Sequence, residues 1–286
     1  MKDLISVVIP TYKRPDKLLR TVKSVVNQTY NNLEILVVND DRNNNNLLTG
    51  LKDDRIKIIK NERSKGANGA RNTGIINANG FFIAFLDDDD EWLPNYAETQ
   101  LGCLKDTNED VGLVYGAYMI EENNKWLPKY QRIEGDILAE LITDKFRIGA
   151  SSNIFIKKEI IDKIGLWDEE MARQQDLEFL VRVFKYYKVV CNPELVLKVY
   201  GHNDPDPEKT FLSREIFCEK ISPHLEVISE ERKALFFSNH YRRQTNFLIK
   251  MKSFKKAKKY WLKAFENKKI SFKKDGKILI SLLKSF

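Results

Sequence analysis

Five consecutive acidic residues follow a short apolar run near the end of the first third of the chain. The run, residues 81–86, is rich in aromatic and branched residues, as is typical of a strand buried on both faces. It leads directly into Asp87-Asp88-Asp89-Asp90-Glu91. Like charges packed this closely raise one another's pKa values unless a hard divalent cation shares their oxygens. The segment therefore predicts a metal site at the carboxyl end of a strand, with a solvated acidic turn as the alternative.

The elements around the acids predict a doubly wound α/β fold. Three further apolar runs, residues 5–9, 33–38 and 55–59, precede the acidic segment, and residues 16–28 and 69–78 have helical spacing. Strands that alternate with helices favour a mostly parallel sheet. Ligands of such sheets bind outside the carboxyl ends of the strands. Residues 10–12, 39–41 and 87–90 each follow a predicted strand, so we expect them to lie side by side.

Several segments, in this order and spacing, resemble the successive signatures of the family 2 inverting glycosyltransferases. They are residues 7–14, 24–30, 33–40, 70–74 and 85–90, and the resemblance extends over about residues 4–200. It implies the GT-A fold, which is Rossmann-like. It also implies metal-dependent transfer of a sugar from a UDP-sugar to a hydroxyl of a saccharide or lipid-linked saccharide acceptor. The oxygen ligands favour Mn²⁺ or Mg²⁺ over Zn²⁺.

Donor-binding residues are expected at the strand ends. The Asp40 carboxylate can accept the N3–H of uracil, which cytosine lacks, and it resembles the family's base-reading acid. The segment Pro10-Thr11-Tyr12 resembles the family's donor-binding turn, whose aromatic ring stacks on the base; a half-buried loop aromatic is the alternative. Arg71 opens a helix after a glycine-containing segment and would face the diphosphate. The alternative for Arg71 is a surface ion pair with Glu62.

The acidic run resembles the family's D-x-D pattern, in which the last Asp contacts the metal and the first helps to hold ribose or metal. These positions are Asp89 and Asp87, and Asp88 occupies the variable middle beside the donor. Some relatives close the metal site with a His near His202, for which an exposed loop residue is the alternative. The cation would neutralise the charge that develops on the departing diphosphate.

A helical pattern over residues 173–182 carries the predicted catalytic base. Its Gln175-Asp176 pair resembles the family's Glu-Asp pair, whose second acid is the general base. Asp176 is therefore predicted to take the proton of the acceptor hydroxyl, and Gln175 to contact the acceptor. An Asp favoured by the helix dipole is the alternative for residue 176. Trp167 is predicted to form a wall of the acceptor site, with a core position as the alternative.

The composition fits one large domain with an appendage. The 286 residues are 42% hydrophobic, and no apolar run reaches the length of a membrane-spanning helix or a signal peptide. We expect a catalytic domain over residues 1–206, with a nucleotide-sugar half to about residue 95 and an acceptor half from about 96, and a basic helical region over 207–286. Three widely spaced cysteines suggest packing thiols of a reducing cytoplasm.

The positive charge is concentrated in the C-terminal residues. Residues 250–286 contain thirteen Lys against one Glu and one Asp, whereas the whole chain has a net charge of +7. Aromatic and branched residues interleave with these lysines, which predicts amphipathic helices on an anionic membrane surface at the inner face of the cell membrane. A Lys-rich solvated face of a helical subdomain is an equal alternative. Nucleic acid is not expected as a partner, since no recognised binding module accompanies the charge.

Three functions remain open from the sequence alone. The favoured one is a glycosyltransferase of bacterial capsule, exopolysaccharide or glycolipid synthesis. A nucleotidyltransferase of similar sheet topology is the second, although the segment after the first strand lacks the glycine expected of that class. The third is a non-catalytic carbohydrate or polyanion binder, against which the retained acids at the predicted donor and base positions argue.

Overall fold

The computed structural model describes residues 3–41, 48, 50–201, 206–267, 276 and 278. The chain divides into two compact units. The first comprises Met1–Ile137, Phe146–Glu170 and Arg182–His202, and the second comprises Leu138–Lys145, Met171–Val181 and Asn203–Phe286. Two of the three segments of the second unit, Leu138–Lys145 and Met171–Val181, belong to the part of the chain that the sequence assigned to the acceptor half. The domain boundary at residue 206 stays a prediction.

The first unit is built on one sheet. Within the described residues its strands are β1 (Ile5–Thr11), β2 (Leu33–Asn39), β3 (Ile56–Lys60), β4 (Phe82–Phe85), β5 (Glu91–Trp92), β6 (Val111–Glu122), β7 (Lys125–Lys129), β8 (Phe155–Lys157) and β9 (Lys188–Val199). Their spatial order is β3-β2-β1-β4-β8-β6-β9-β5, and β7 pairs with β6. The four strands predicted from residues 5 to 86 all form.

The parallel part of the sheet places the polar segments at one edge. β1 pairs in parallel with β2 and β4, and β2 pairs in parallel with β3. Thr11 lies opposite Asn39 in this register, and the Leu86 N–H donates to the Val8 carbonyl over 3.1 Å. The ends of β1, β2 and β4 therefore face the same crevice, as the topology rule predicted. Beyond β4 the sheet is mixed, because β8 pairs antiparallel with both β4 and β6.

Helices cover the sheet and build the second unit. They are α1 (Pro15–Val26), α2 (Ala67–Ile76), α3 (Tyr96–Leu104), α4 (Leu138–Ile142), α5 (Lys158–Ile164), α6 (Gln175–Phe184), α7 (Pro207–Ile221), α8 (Glu230–Lys250) and α9 (Phe254–Asn267). In α1, Leu18, Val22 and Val25 are fully buried at helical spacing. In α2, a Cβ at Gly74 would lie 2.3 Å from Val8 Cγ1, so glycine permits the close packing of α2 on β1.

In the second unit, the described residues between Pro207 and Asn267 contain α7, α8 and α9, with a short 3-10 helix (Ser222–Val227) after α7. The Asp206 side chain caps α7 by accepting from the Glu208 and Lys209 N–H groups. The packing of α7 and α8 includes the Glu215 carboxylate, which contacts His240 Nε2 at 3.0 Å and the Gln244 amide at 2.5 Å. No helix in the described part of the chain is both long and apolar enough to span a membrane.

Candidate active site

The first acid of the cluster, Asp87, is fixed by an arginine and two serines. Arg71 Nη2 donates to Asp87 Oδ1 over 2.5 Å, and Ser151 Oγ donates to Asp87 Oδ2 over 2.8 Å. The Asp87 N–H donates to Ser152 Oγ over 3.0 Å. The Asp87 side chain remains 30% exposed. It therefore sits at the surface of the crevice in a fixed orientation, with its charge balanced by Arg71.

Arg71 is a buried residue, and its surface pairing with Glu62 is not formed. Its side chain is 2% exposed, and its guanidinium lies 4.8 Å from the centre of the Trp167 ring. It also donates to Asn68 Oδ1 over 3.2 Å. The expectation of a phosphate-facing Arg71 thus needs a refinement, because the guanidinium serves first as the partner of Asp87.

Trp167 does not form an acceptor wall in this structure, and that prediction is corrected. The residue is 2% exposed and packs edge to face against Phe85 at 5.1 Å. A ring enclosed between Phe85 and the Arg71 guanidinium has no free face on which a sugar could stack. The core position that the sequence left as the alternative is the one observed.

The next two acids, Asp88 and Asp89, are buried and paired with cations at the start of α1. Thr11 Oγ1 donates to Asp88 Oδ2 over 2.7 Å, and Arg14 Nη1 lies 3.2 Å from Asp88 Oδ1. The same Arg14 nitrogen lies 3.0 Å from Asp89 Oδ2, which Lys17 Nζ also approaches at 3.4 Å. Burial raises the pKa of the Asp88 carboxyl, although the Thr11 hydroxyl and Arg14 oppose that change. Arg14 and Lys17 were not assigned any role from the sequence.

Asp90 anchors the end of β9 to the acid cluster. Its carboxylate accepts from Ser152 Oγ over 2.5 Å and from the Tyr200 N–H over 3.0 Å. Burial, with the nearby Asp87 charge, raises the pKa of Asp90 to about 7. Asp90 is therefore a structural acid that holds Tyr200 in place.

Asp40 holds the loop that precedes α2. Its Oδ1 accepts from the Asn61 amide over 2.6 Å, and its Oδ2 accepts from the Gly66 N–H over 2.9 Å. An ionised carboxylate offers about four lone-pair positions, so these two bonds leave capacity for a base N–H. The base-reading role of Asp40 stays a prediction that this geometry permits.

Glu169 holds the same loop from the other side and was missed by the sequence reasoning. It forms an ion pair with Arg63, accepts from the Ser64 N–H over 3.4 Å and accepts from the Asn72 amide over 2.8 Å. Burial acts to raise its pKa, but the bonds from Asn72, Ser64 and Arg63 outweigh burial and lower the pKa of Glu169 to about 2. Its position two residues after Trp167 gave no signal, because its partners are about 100 residues away in the chain.

The segment Pro10-Thr11-Tyr12 lies at the end of β1. Pro10 is buried opposite Val38, whereas the Tyr12 ring is 53% exposed beside the crevice. The next residue, Lys13, has a φ of +56° and turns the chain into α1. An exposed ring at the carboxyl end of a parallel strand is suited to stacking on a planar ligand.

Gln175 and Asp176 form the first turn of α6 in the second unit, and both are half-buried. Within the described residues, the buried Oε1 atom of Gln175 has no hydrogen-bond partner. A buried carboxamide oxygen without a partner is costly, so it is suited to a ligand hydroxyl. The predicted metal ligand His202 lies outside the described residues.

The predicted metal site offers carboxylate oxygens of the acid cluster as donor atoms. Among the residues that the structure describes, no group of three or more His, Cys, Asp or Glu residues is arranged to hold a metal ion. The donor chemistry nevertheless fits a hard cation, because Asp87 and Asp89 present carboxylate oxygens. Mn²⁺ or Mg²⁺ stays a prediction for this site.

Comparison with known proteins gives a family match over the segment that carries these residues. Residues 6–165 match the family described as glycosyl transferase family 2. The chain is 32% identical over 217 residues to the uncharacterized glycosyltransferase MJ1057 of Methanocaldococcus jannaschii, which covers 69% of this chain and 70% of that protein. The family expected from the motifs is confirmed.

Two similar proteins of Escherichia coli have specific names. The UDP-Glc:alpha-D-GlcNAc-diphosphoundecaprenol beta-1,3-glucosyltransferase WfgD is 41% identical over 129 residues, which cover 44% of this chain and 50% of WfgD. The enzyme of the same description named WfaP is 37% identical over 123 residues, which cover 42% of this chain and 48% of WfaP. The chain thus matches only about half the length of each of these relatives.

Solved structures confirm the GT-A fold. S. aureus TarS 1-349, solved in complex with UDP-GlcNAc, matches with a TM-score of 0.64 over 100% of this chain and 88% of that chain. The same TarS 1-349 without a stated ligand gives a TM-score of 0.65. The sequence identities are 16% and 15%, so the likeness concerns the fold.

Proposed function

Because the chain belongs to glycosyl transferase family 2, we propose that it transfers a sugar from a UDP-sugar to an acceptor hydroxyl, with inversion at the anomeric carbon. One observation carries the proposal. Within the family-matched segment, the ends of β1, β2 and β4 bring Tyr12, Asp40 and the acid cluster to one edge of the sheet. This edge is where ligands of open α/β sheets bind.

The donor would be held by residues of these strand ends. Tyr12 supplies an exposed ring for the base, and the remaining capacity of Asp40 suits the uracil N3–H. Pro10 and Thr11 shape the floor beside them, and Asp88 suits a ribose hydroxyl. Arg71 contributes by holding Asp87, and its buried positive charge lies close to the position proposed for the diphosphate.

A divalent cation fits the oxygens of Asp89 and Asp87, with His202 as a further expected ligand. When bound, such a cation supplies Lewis-acid stabilisation of the departing diphosphate. Asp89 is suited to it by its buried carboxylate, and Asp87 by the orientation that Arg71 and Ser151 impose. These assignments rest on donor chemistry and on the family's D-x-D pattern.

Asp176 is proposed as the general base. Its carboxylate would take the proton of the acceptor hydroxyl while that oxygen bonds to the anomeric carbon and the bond to the diphosphate breaks. The neighbouring Gln175 would receive a second acceptor hydroxyl at its unpartnered Oε1. The pair thus both orients and activates the acceptor.

The relatives suggest a class of substrates. WfgD and WfaP are named for UDP-Glc as donor and for a GlcNAc-diphosphoundecaprenol acceptor. We therefore propose a UDP-hexose donor and a polyprenyl-diphosphate-linked saccharide acceptor of bacterial surface polysaccharide synthesis. Such an acceptor is embedded in a membrane, so the enzyme would work at the inner face of the cell membrane.

The α9 helix offers a surface for that membrane. Lys255, Lys258 and Lys259 are exposed on it, together with Leu262 and Phe265 at 43% and 41% exposure. Lysines interleaved with exposed apolar side chains suit an anionic lipid surface. Replacing the three lysines with Gln should reduce co-sedimentation with vesicles containing phosphatidylglycerol, whereas Gln at Lys52, Lys105 and Lys125 should not. Equal binding by both triple variants would refute this docking surface.

The transfer itself can be tested with purified protein. UDP-glucose and UDP-GlcNAc should raise the melting temperature in the presence of Mn²⁺, and a synthetic polyprenyl-diphosphate GlcNAc should accept labelled sugar from one of them. Asp89→Ala should remove both the transfer and the Mn²⁺-dependent binding of UDP. Undiminished transfer by wild type in excess chelator would refute the metal assignment, and the absence of transfer with every UDP-sugar would refute the donor class.

A further inference from the structure

Two exposed cationic side chains contact the buried acids: Arg14, immediately before α1, and Lys17, in its first turn. Arg14 Nη1 contacts Asp88 and Asp89, and Lys17 Nζ contacts the same Asp89 oxygen. The acid side chains are 8% and 5% exposed, whereas Arg14 and Lys17 are 49% and 52% exposed. The buried Asp89 carboxylate is therefore paired with two cations whose own side chains are half-exposed.

We propose that Arg14 and Lys17 are a movable counter-charge that exchanges its anionic partner when donor and metal bind. In the donor-free protein they neutralise Asp88 and Asp89, and in the complex they bind the diphosphate oxygens of the donor. The inference rests on the proposed function, since it takes Asp89 as a metal ligand. These two residues would weaken the binding of the metal alone, and they would strengthen the binding of the nucleotide together with the metal.

The metal alone would bind weakly because it competes with Arg14 and Lys17 for one oxygen, Oδ2 of Asp89. A divalent cation that binds Asp89 Oδ2 would meet two positive groups that already lie 3.0 and 3.4 Å from that oxygen. Like charges at such distances repel strongly in a partly buried site, so the metal and the side chains cannot share the oxygen. A nucleotide diphosphate relieves the conflict because it offers the displaced side chains new oxygens, and a guanidinium matches phosphate in geometry.

Arg71 and Arg14 differ in the freedom that this exchange needs. Arg71 is 2% exposed and is held by Asp87, Ser151 and Asn68. Arg14 is half-exposed and precedes the first turn of α1, where its backbone is not helical at φ −132° and ψ 57°. A long side chain with an exposed stem can change partners at little cost to the fold. Arg14 is therefore suited to move, whereas Arg71 is fixed.

Calorimetric titration separates the two effects because they have opposite signs. In Arg14→Gln, Mn²⁺ alone should bind roughly tenfold more tightly than in wild type, because one competing charge is gone. UDP in saturating Mn²⁺ should bind roughly tenfold more weakly, because a phosphate contact is lost. Lys23→Gln is the matched control, since it removes the same charge from an exposed position in the last turn of α1 and should leave both affinities unchanged.

Lys17→Gln should show the same pair of opposite changes with a smaller size, and it keeps the test valid if Arg14→Gln proves unstable on thermal unfolding. Unchanged or weaker Mn²⁺ affinity in these variants would refute the proposal that Arg14 and Lys17 compete with the metal. Tighter Mn²⁺ binding with unchanged UDP affinity would refute the proposal that they move to the diphosphate. If wild type binds no Mn²⁺ even with UDP, the metal assignment of the proposed function fails as well. This result is seen in wild type before any substitution is made, so it can be told apart from a failure of the exchange alone.

Discussion

The guanidinium of Arg71 is joined to the carboxylate of Asp87 across 2.5 Å, and this ion pair connects α2 to the acid cluster at the end of β4. The residues are 16 positions apart in the chain, with Arg71 in α2 and Asp87 two residues after the end of β4. The pair orients the first acid, and it places a buried positive charge at the edge where the diphosphate is proposed to bind. One contact thus serves both the fold and the electrostatics of the site.

Arg71→Lys should impair both stability and activity. The ammonium group can keep one bond to Asp87 but cannot also reach Ser151 and Asn68 in the geometry of the guanidinium. We expect a loss of about 2 kcal/mol in the free energy of unfolding, measured by denaturant titration, because a mostly buried pair is weakened. Transfer should fall by at least roughly tenfold. Arg132→Lys, at an exposed position of the same unit, is the control, and equal behaviour of the two variants would contradict the structural role of Arg71.

Glu169→Gln should loosen the loop between β3 and α2. The substitution keeps the shape of the side chain but removes the charge that binds Arg63 and accepts from Ser64 and Asn72. Because Asp40 holds the same loop, the affinity for UDP should fall by roughly tenfold, as expected for the loss of a charge-assisted contact. Calorimetric titration with UDP measures the change. Glu170→Gln, at the exposed neighbouring position, is the control. An equal loss of UDP affinity in that variant would refute the role of Glu169 in holding the loop.

Asp176→Asn should separate chemistry from donor binding. The amide is close in shape to the carboxylate but cannot take the proton of the acceptor hydroxyl. Turnover should therefore fall by roughly 10²–10⁴-fold, the usual contribution of a general base. The affinity for UDP should stay near that of wild type on calorimetry. A large loss of UDP affinity would place Asp176 in the donor site or in the fold instead.

Local pattern was sufficient to predict the elements that carry the site. The apolar runs ending before Pro10, Asn39 and Asp87 all form buried strands, and their parallel pairing was expected from the alternation with helices. The segments that resemble the glycosyltransferase motifs therefore lie at the carboxyl ends of the parallel strands. The antiparallel β8, by contrast, is three residues long, and so short a run has no periodicity that sequence could show.

Partners of the site residues could not be predicted because they come from distant parts of the chain. Ser151 and Ser152 reach Asp87 and Asp90 across more than sixty residues, and a serine pair carries no recognisable signal. The misplacement of Trp167 has a similar cause. Whether an aromatic ring lines a pocket or fills a core depends on what packs on it, here Phe85 and Arg71.

The last prediction concerns acid stability of the helical unit. Burial acts to raise the pKa of Glu215, but the bonds from His240, Gln244 and Tyr260 outweigh burial and lower that pKa to about 2. A carboxyl group whose pKa is lowered on folding stabilises the folded state at pH values above its ordinary pKa of 4.5. This stabilisation is lost as the pH falls toward 2, the pKa in the folded state. Because the side chain is 36% exposed, solvent screening limits this contribution to the free energy of unfolding to about 1 to 2 kcal/mol.

The melting temperatures of wild type and Glu215→Gln should therefore differ most above pH 5 and converge as the pH approaches 2. Glu219→Gln, exposed on the same helix, should follow wild type throughout, and a wild-type to Glu215→Gln difference that does not change with pH would refute the ionic role of Glu215.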